Sequence, residues 1–86
     1  MTEIDFDGPD PLYLQLAAVL RGRIQDGTYQ VNRAIPSVAA LIDEFGLSTM
    51  TVQKSLTVLK GEGLVRAVKG RGTFVVPQDD APPQSG

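Results

Sequence analysis

The stretch "LIDEFGLSTMTVQKSL", residues 41–56, holds two helical patterns separated by a short turn. Apolar side chains recur at helical spacing on both sides of that turn. Gly46 supplies the left-handed conformation that commonly ends a helix, and Ser48, two residues later, is a favoured N-cap for the next one. The side chains expected to face inward are Val38, Leu41, Ile42 and Phe45 in the first helix and Val52, Leu56 and Leu59 in the second. With Ser37 as the cap of the first helix, the pattern predicts a helix–turn–helix.

A further helix is predicted before this motif. Residues 11–26 carry apolar side chains at helical spacing, with Asp10 as the expected N-cap and Pro11 at the first helical position. Arg21 and Arg23 are expected on the solvated face of this helix. The sequence therefore predicts three helices in its first two thirds.

After the third helix, predicted at about 49–62 and ended by Gly63, the apolar period changes from helical to alternating. The alternation predicts a β-hairpin with strands at about 64–68 and 73–76, joined by a glycine-rich turn. The expected fold is mainly α with a small β-hairpin, a three-helix winged helix-turn-helix.

Composition excludes several kinds of chemistry. The 86 residues suit a single domain and contain no Cys and no His, so thiolate nucleophiles, imidazole bases and the usual zinc ligands are absent. Asp43 and Glu44 are adjacent, so on a helix their carboxylates point in different directions. We expect no enzymatic activity and no cofactor. Without a run of 18 apolar residues, we also expect no membrane partner and a cytoplasmic protein.

The net charge of −2 conceals an uneven distribution. All eight basic side chains and only four acidic ones lie within residues 11–76, which gives this segment a net charge of +4. We expect residues 1–10 to form a flexible acidic arm and residues 77–86 to be disordered. The central segment therefore has a modest basic surface that suits nucleic acid.

Four stretches of this segment are similar to one known family: "PLYLQLAAVLRGRIQDG", "IPS", "LIDEFGLSTMTVQKSL" and "LKGEGLVRAVKGRGTFV". Together they resemble the DNA-binding domain of the GntR family of bacterial transcription regulators, over about residues 11–76. The resemblance implies a winged helix whose third helix enters the major groove of double-stranded DNA. It also implies that the hairpin tip contacts the DNA backbone or the minor groove.

The sequence departs from the family pattern at three positions where arginine is usual, which here are Ala39, Thr49 and Gln53. Because glutamine reads adenine whereas arginine prefers guanine, the preferred DNA sequence should differ from that of relatives. Family members also usually continue into an effector-binding and dimerising domain, but only ten residues follow Val76. The sequence leaves open whether the chain is a stand-alone regulator or a fragment.

We expect Gln53 and Met50, assisted by Thr49, to read base edges. Gly70 and Gly72 should let the hairpin tip approach the DNA backbone closely. The residues expected to contact the backbone are Ser37, Ser48, Thr51, Lys54, Lys69 and Arg71, the last two held by the adjacent Gly70 and Gly72.

The expected partners are double-stranded DNA and a second copy of the chain, because a small domain needs two half-sites to bind firmly. Such a homodimer is expected to act as a repressor on the bacterial nucleoid. The alternative is a winged-helix module that has lost sequence-specific DNA reading and binds a second protein chain. The missing arginines and the exposed Met50 favour that alternative.

Overall fold

The computed structural model describes residues 4–77. Three helices precede a two-stranded antiparallel hairpin: α1 (Leu12–Gln25), α2 (Val38–Phe45), α3 (Thr49–Gly61), β1 (Val65–Val68) and β2 (Gly72–Val75). The predicted fold class is confirmed, and each predicted element lies within one residue or so of its observed bounds.

The start of α1 differs from the prediction. Asp10 was expected to cap the helix, but the cap position belongs to Pro11, and no side chain accepts a hydrogen bond there. The carbonyl of Pro11 instead accepts the backbone N–H groups of Leu14 and Gln15, each at 3.1 Å. The helix begins one residue later than expected because the extended backbone of Pro11 lies outside it.

The helix–turn–helix forms as its local signals predict. The side chain of Ser37 accepts the N–H of Ala40 at 3.1 Å, and that of Ser48 accepts the N–H of Thr51 at 3.2 Å. Gly46 has a φ of 68°, a left-handed backbone conformation that residues other than glycine adopt only at an energetic cost. Leu47, between the turn and the second cap, is buried. Its burial fixes the position of α3 against α2.

One apolar core joins the three helices and the hairpin. α1 packs mainly on α3, and α3 also contacts α2 and β1. The buried apolar residues are Ile4, Leu16, Ala17, Leu20, Ile24, Ile35, Leu41, Phe45, Leu47, Val52, Leu56, Leu59, Leu64, Val65 and Val75. Val52, Leu56 and Leu59 form the predicted buried stripe of α3, so the opposite face of that helix is directed to solvent.

The described part of the N-terminal segment contacts the domain. Ile4 is only 2% exposed and belongs to the core. The side-chain amide of Gln15 accepts the backbone N–H of Asp5 at 2.6 Å and donates to the carbonyls of Asp5 and Asp10 at 2.8 and 2.9 Å. The sequence predicted a flexible acidic arm over residues 1–10 and did not indicate these contacts. Of the predicted disordered tail, only Pro77 falls within the described residues.

The hairpin is joined to the loop before α2. Val65 pairs with Val75 and Arg66 with Phe74, and the loop segment 32–35 bonds to the other edge of β2. The N–H of Ile35 donates to the carbonyl of Thr73 at 2.8 Å, and that of Asn32 donates to the carbonyl of Val75 at 2.9 Å. β2 therefore has hydrogen-bonded neighbours on both sides.

Candidate nucleic-acid interface

The outward face of α3 begins at its capped N-terminus. Thr49, Met50 and Gln53 are exposed within the first turn and a half, and Met50 is 66% exposed. Helical geometry places residues four apart on one face, so Thr49 and Gln53 are neighbours. The structure thus brings together on one surface the three residues that were predicted to read bases.

Two residues of α3 with predicted backbone roles make contacts within the protein. Thr51 is half-buried, and its hydroxyl accepts a hydrogen bond from the Ser48 hydroxyl at 2.9 Å. The ammonium of Lys54 lies 5.6 Å from the centre of the Tyr13 ring on α1, within the range of a cation–π contact. Lys54 is therefore held on the side of α3 that faces the start of α1.

The N-termini of α2 and α3 are both exposed at their capping serines, Ser37 and Ser48. The unpaired N–H groups of a helix N-terminus carry a partial positive charge that favours phosphate. Each serine hydroxyl accepts one N–H; that of Ser48 also donates to the Thr51 hydroxyl, whereas that of Ser37 can still donate to an anion. The two serines combine a structural role with an exposed position.

The wing tip, Lys69–Gly72, projects from the hairpin, and all of it is exposed. The N–H of Arg71 donates to the carbonyl of Val68 at 2.9 Å and closes a four-residue turn. Gly70, the third residue of that turn, has a φ of 79°, and Gly72 has a φ of 114°. A turn with positive φ at its third position favours glycine, so the glycines determine how the tip presents Lys69 and Arg71.

A groove connects the face of α3 with the hairpin, and sequence reasoning missed it. It has a volume of about 330 Å³ and lies between α3, the start of α2 and β2. Its lining side chains are Val38, Gln53, Leu56, Thr57, Lys60 and Thr73. The spacing of Gln53, Thr57 and Lys60 places them on one helix face and could have indicated a longer polar surface. We call this depression the α3–wing groove.

Two arginines that were expected to be solvated are ion-paired instead. Arg21 bonds to Glu62 at 2.6 Å, and Arg23 bonds to Glu44 at 2.8 Å. The guanidinium of Arg23 also lies 5.1 Å from the centre of the Phe45 ring, and its hydrogen bonds to Glu44 raise its pKa above the ordinary value. Both cations therefore hold helices together, and the exposed positive charge lies elsewhere.

Residues 12–75 match the family model described as bacterial regulatory proteins, gntR family. The chain belongs to the GntR family. The match covers all three helices and both strands, so the expected relationship is confirmed over residues 12–75.

Similar curated proteins are named transcriptional repressors. The HTH-type transcriptional repressor NagR of Bacillus subtilis (strain 168) is 40% identical over 72 residues, which are 84% of this chain and 30% of NagR. The histidine utilization repressor of Pseudomonas putida is 35% identical over 69 residues, which are 80% of this chain and 28% of that protein. The chain spans less than a third of the length of these relatives.

Solved structures of the family share the fold. The DNA-binding domain of AraR in complex with operator ORX1 superposes with a TM-score of 0.79 at 32% identity, covering 87% of this chain and 96% of the AraR chain. YtrA from Sulfolobus acidocaldarius, a GntR-family transcription factor, has a TM-score of 0.79 at 28% identity, with coverages of 87% and 79%. The winged helix of this GntR chain therefore has the family's architecture.

Two observations on the described part of this GntR chain concern metal sites and membrane spans. Within residues 4–77, no three His, Cys, Asp or Glu side chains lie together as they would in a metal site. No helix in the same range is long and apolar enough to cross a membrane. The GntR family is a family of regulatory proteins.

Proposed function

We propose that this chain is a sequence-specific double-stranded DNA-binding domain of a bacterial transcriptional regulator, acting as a repressor. The observation that carries the proposal is the exposed polar face of α3, which begins at a capped N-terminus and continues through the α3–wing groove to the hairpin. An α-helix fits the major groove of B-DNA, where every base pair presents a distinct pattern of donors and acceptors. The repressor names of the relatives and the operator bound by AraR support the same function.

In this proposal, α3 lies in the major groove and its first two turns read the bases. The amide of Gln53 pairs with an adenine, because it offers one donor and one acceptor at the spacing of the adenine N7 and N6 atoms. Met50 contacts a thymine methyl, and Thr49 assists through its hydroxyl. Ala39 has no side chain for a polar contact, so the residues on α3 carry the sequence preference.

The remaining predicted residues position the domain on the DNA backbone. Lys69 and Arg71 contact phosphates or the minor groove, and the positive φ values of Gly70 and Gly72 keep the tip narrow enough to approach. The other backbone contacts are Ser37, Ser48, Thr51 and Lys54. Lys60 and Thr73, which face the α3–wing groove, belong to the same surface.

The regulator acts as a homodimer on a two-fold operator in the bacterial cytoplasm. The segment 11–76 has a net charge of +4, so a single domain neutralises few phosphates, and affinity rises when two half-sites are bound together. The test is selection of bound duplexes from a random DNA pool at two salt concentrations, followed by sequencing. We expect an enriched palindrome whose retention falls steeply with salt.

The exposed Met50 favours a second candidate, a module whose α3 face binds a protein. The same selection separates the two functions. Enrichment of no sequence and no retention even at low salt would overturn DNA binding and support the protein partner. A surface built on Met50 would also bind its partner with little dependence on salt.

A further inference from the structure

The outer face of the hairpin, away from the core, contains a cavity that shares only Arg71 with the proposed DNA interface. Val65 and Val75 are buried on the inner face, and their strand neighbours Arg66 and Phe74 lie opposite each other on the outer face. The cavity has a volume of about 400 Å³. The side chains that matter for its chemistry are Arg66, Val68, Arg71, Phe74, Val76 and Pro77. We call it the outer wing cavity.

The two arginines of this cavity have no acidic partner within residues 4–77. The ion pairs in that range are formed by two other arginines, Arg21 with Glu62 and Arg23 with Glu44. Among the described residues, no carboxylate balances the charge of these two guanidinium groups, which border the same cavity. A guanidinium presents its donors in a planar fork that matches a carboxylate, so the pair is suited to an anion.

Apart from Arg66, Arg71 and the polar Asn32, the residues that line the cavity are apolar. Phe74, Val68 and Val76 are half-buried, so an apolar surface remains accessible between the arginines. A volume of about 400 Å³ falls within the usual size of small-molecule sites, roughly 300–1,000 Å³. Apolar walls with a few convergent charged groups are typical of such sites. We propose that the outer wing cavity binds a small aromatic carboxylate, whose ring packs on Phe74 while its carboxylate pairs with Arg66 and Arg71.

The proposed ligand site rests on the residues that line the cavity and does not depend on DNA binding. Only the effect of the ligand on DNA affinity rests on the proposed function. Arg71 belongs both to this cavity and to the wing tip. A bound carboxylate therefore competes with the DNA backbone for one guanidinium group, and the ligand lowers DNA affinity without touching α3.

The chain itself contains a second source of carboxylate groups near the cavity. Asp79 and Asp80 follow two and three residues after Pro77, which lines the cavity. Their carboxylates are tethered, and a short tether gives an effective concentration in the millimolar range. The experiment therefore includes the double variant Asp79→Asn/Asp80→Asn.

The test is a titration of the full, ¹⁵N-labelled chain with sodium 2-naphthoate, followed by backbone amide shifts in the absence of DNA. We expect saturable shifts at Arg66, Val68, Arg71 and Phe74. The neutral analogue 2-naphthalenemethanol and the small anion acetate should each bind about tenfold more weakly, because each lacks one half of the recognition.

Variants assign the interaction to the cavity. Arg66→Gln should weaken naphthoate binding about tenfold, whereas Arg33→Gln, an exposed arginine outside the cavity, should leave it unchanged. The double asparagine variant should change the affinity less than about twofold. Shifts that are absent, equal for the neutral analogue or unaffected by Arg66→Gln would overturn the proposal. An affinity about tenfold higher in the asparagine variant would also overturn it, since the tail would then be the resident occupant.

Discussion

The guanidinium of Arg21 on α1 forms two hydrogen bonds to the carboxylate of Glu62, the residue that caps the end of α3. Nε donates to Oε1 at 2.8 Å and Nη2 donates to Oε2 at 2.6 Å, so the pair is bidentate. The hydrogen bonds from Arg21 hold the pKa of Glu62 below its ordinary value of 4.5. This ion pair links α1 to the C-terminal end of α3, the helix proposed to read DNA.

This pair predicts a stability that depends on pH. Because the folded-state pKa of Glu62 is depressed, its contribution is present above the unfolded-state pKa and is lost as the pH falls through the lower folded-state value. Glu62→Gln should therefore lower the melting temperature modestly at neutral pH, and its difference from the wild type should close as the pH falls below about 4. Thermal unfolding followed by circular dichroism measures both. Asp43→Asn, which removes an exposed carboxylate of α2, is the control, and a difference that persists in acid would contradict the prediction.

The burial of Ile4 predicts that the N-terminal segment stabilises the domain. Ile4→Ala removes a side chain that is 2% exposed, and we expect a loss of about 2 kcal/mol, at the low end for core positions because a terminal segment can relax. Phe6→Ala is the matched control, since Phe6 is 56% exposed and its loss should cost less than about 0.5 kcal/mol. Urea unfolding of the two variants decides the point, and equal losses would argue against the docking of Ile4.

Backbone conformation at Asn32 gives a third prediction. Asn32 has a φ of 64° and is the one residue other than glycine with positive φ among residues 4–77. Asn32→Ala should destabilise the domain by about 1 kcal/mol, whereas Asn32→Gly should not, because glycine adopts this conformation without steric cost. Urea unfolding measures both changes. A glycine variant as unstable as the alanine variant would mean that the asparagine side chain, and not the backbone, matters.

For DNA recognition, Gln53→Ala should cost about 1–3 kcal/mol on the selected operator and relax the preference at one base pair. Fluorescence anisotropy with single-base operator variants measures this. Gln25→Ala removes the same type of side chain at the exposed end of α1, distant in sequence from Gln53, and should leave binding unchanged. An equal loss on every sequence would reject direct readout by Gln53.

Arg71→Gln tests the role of the wing tip. If Arg71 neutralises one phosphate, the variant should lower the slope of log affinity against log salt by about 1 and weaken all sequences alike. Arg71→Lys keeps the charge and should keep the slope. An unchanged slope in the glutamine variant would remove the wing tip from the DNA contacts.

Local signals explain why the helices and the hairpin could be predicted. The capping bonds of Ser37 and Ser48 and the left-handed Gly46 depend on neighbours within a few positions of the chain. The exposed face of α3 follows from the spacing of its buried residues in the same way. These features need no knowledge of how the elements pack.

Contacts between distant residues could not be predicted from the same patterns. Arg21 and Glu62 are 41 positions apart, and each looks like an ordinary solvated charge in its own helix. Ile4 is a single apolar residue in an acidic stretch and belongs to no periodic pattern. The α3–wing groove needs the position of Thr73 relative to Lys60, which depends on how the hairpin packs against α3.

The double-sided bonding of β2 separates the hairpin into two mechanically different parts. Its base is anchored by Ile35 and Asn32 on one side and by β1 on the other, so those amides should exchange slowly with solvent. The tip is joined to this base through one turn only, closed by the bond from Arg71 to Val68. We therefore expect insertions or replacements in the tip to leave the rest of the domain intact. In evolutionary terms, the tip can change in sequence and length while the fold of the domain stays the same.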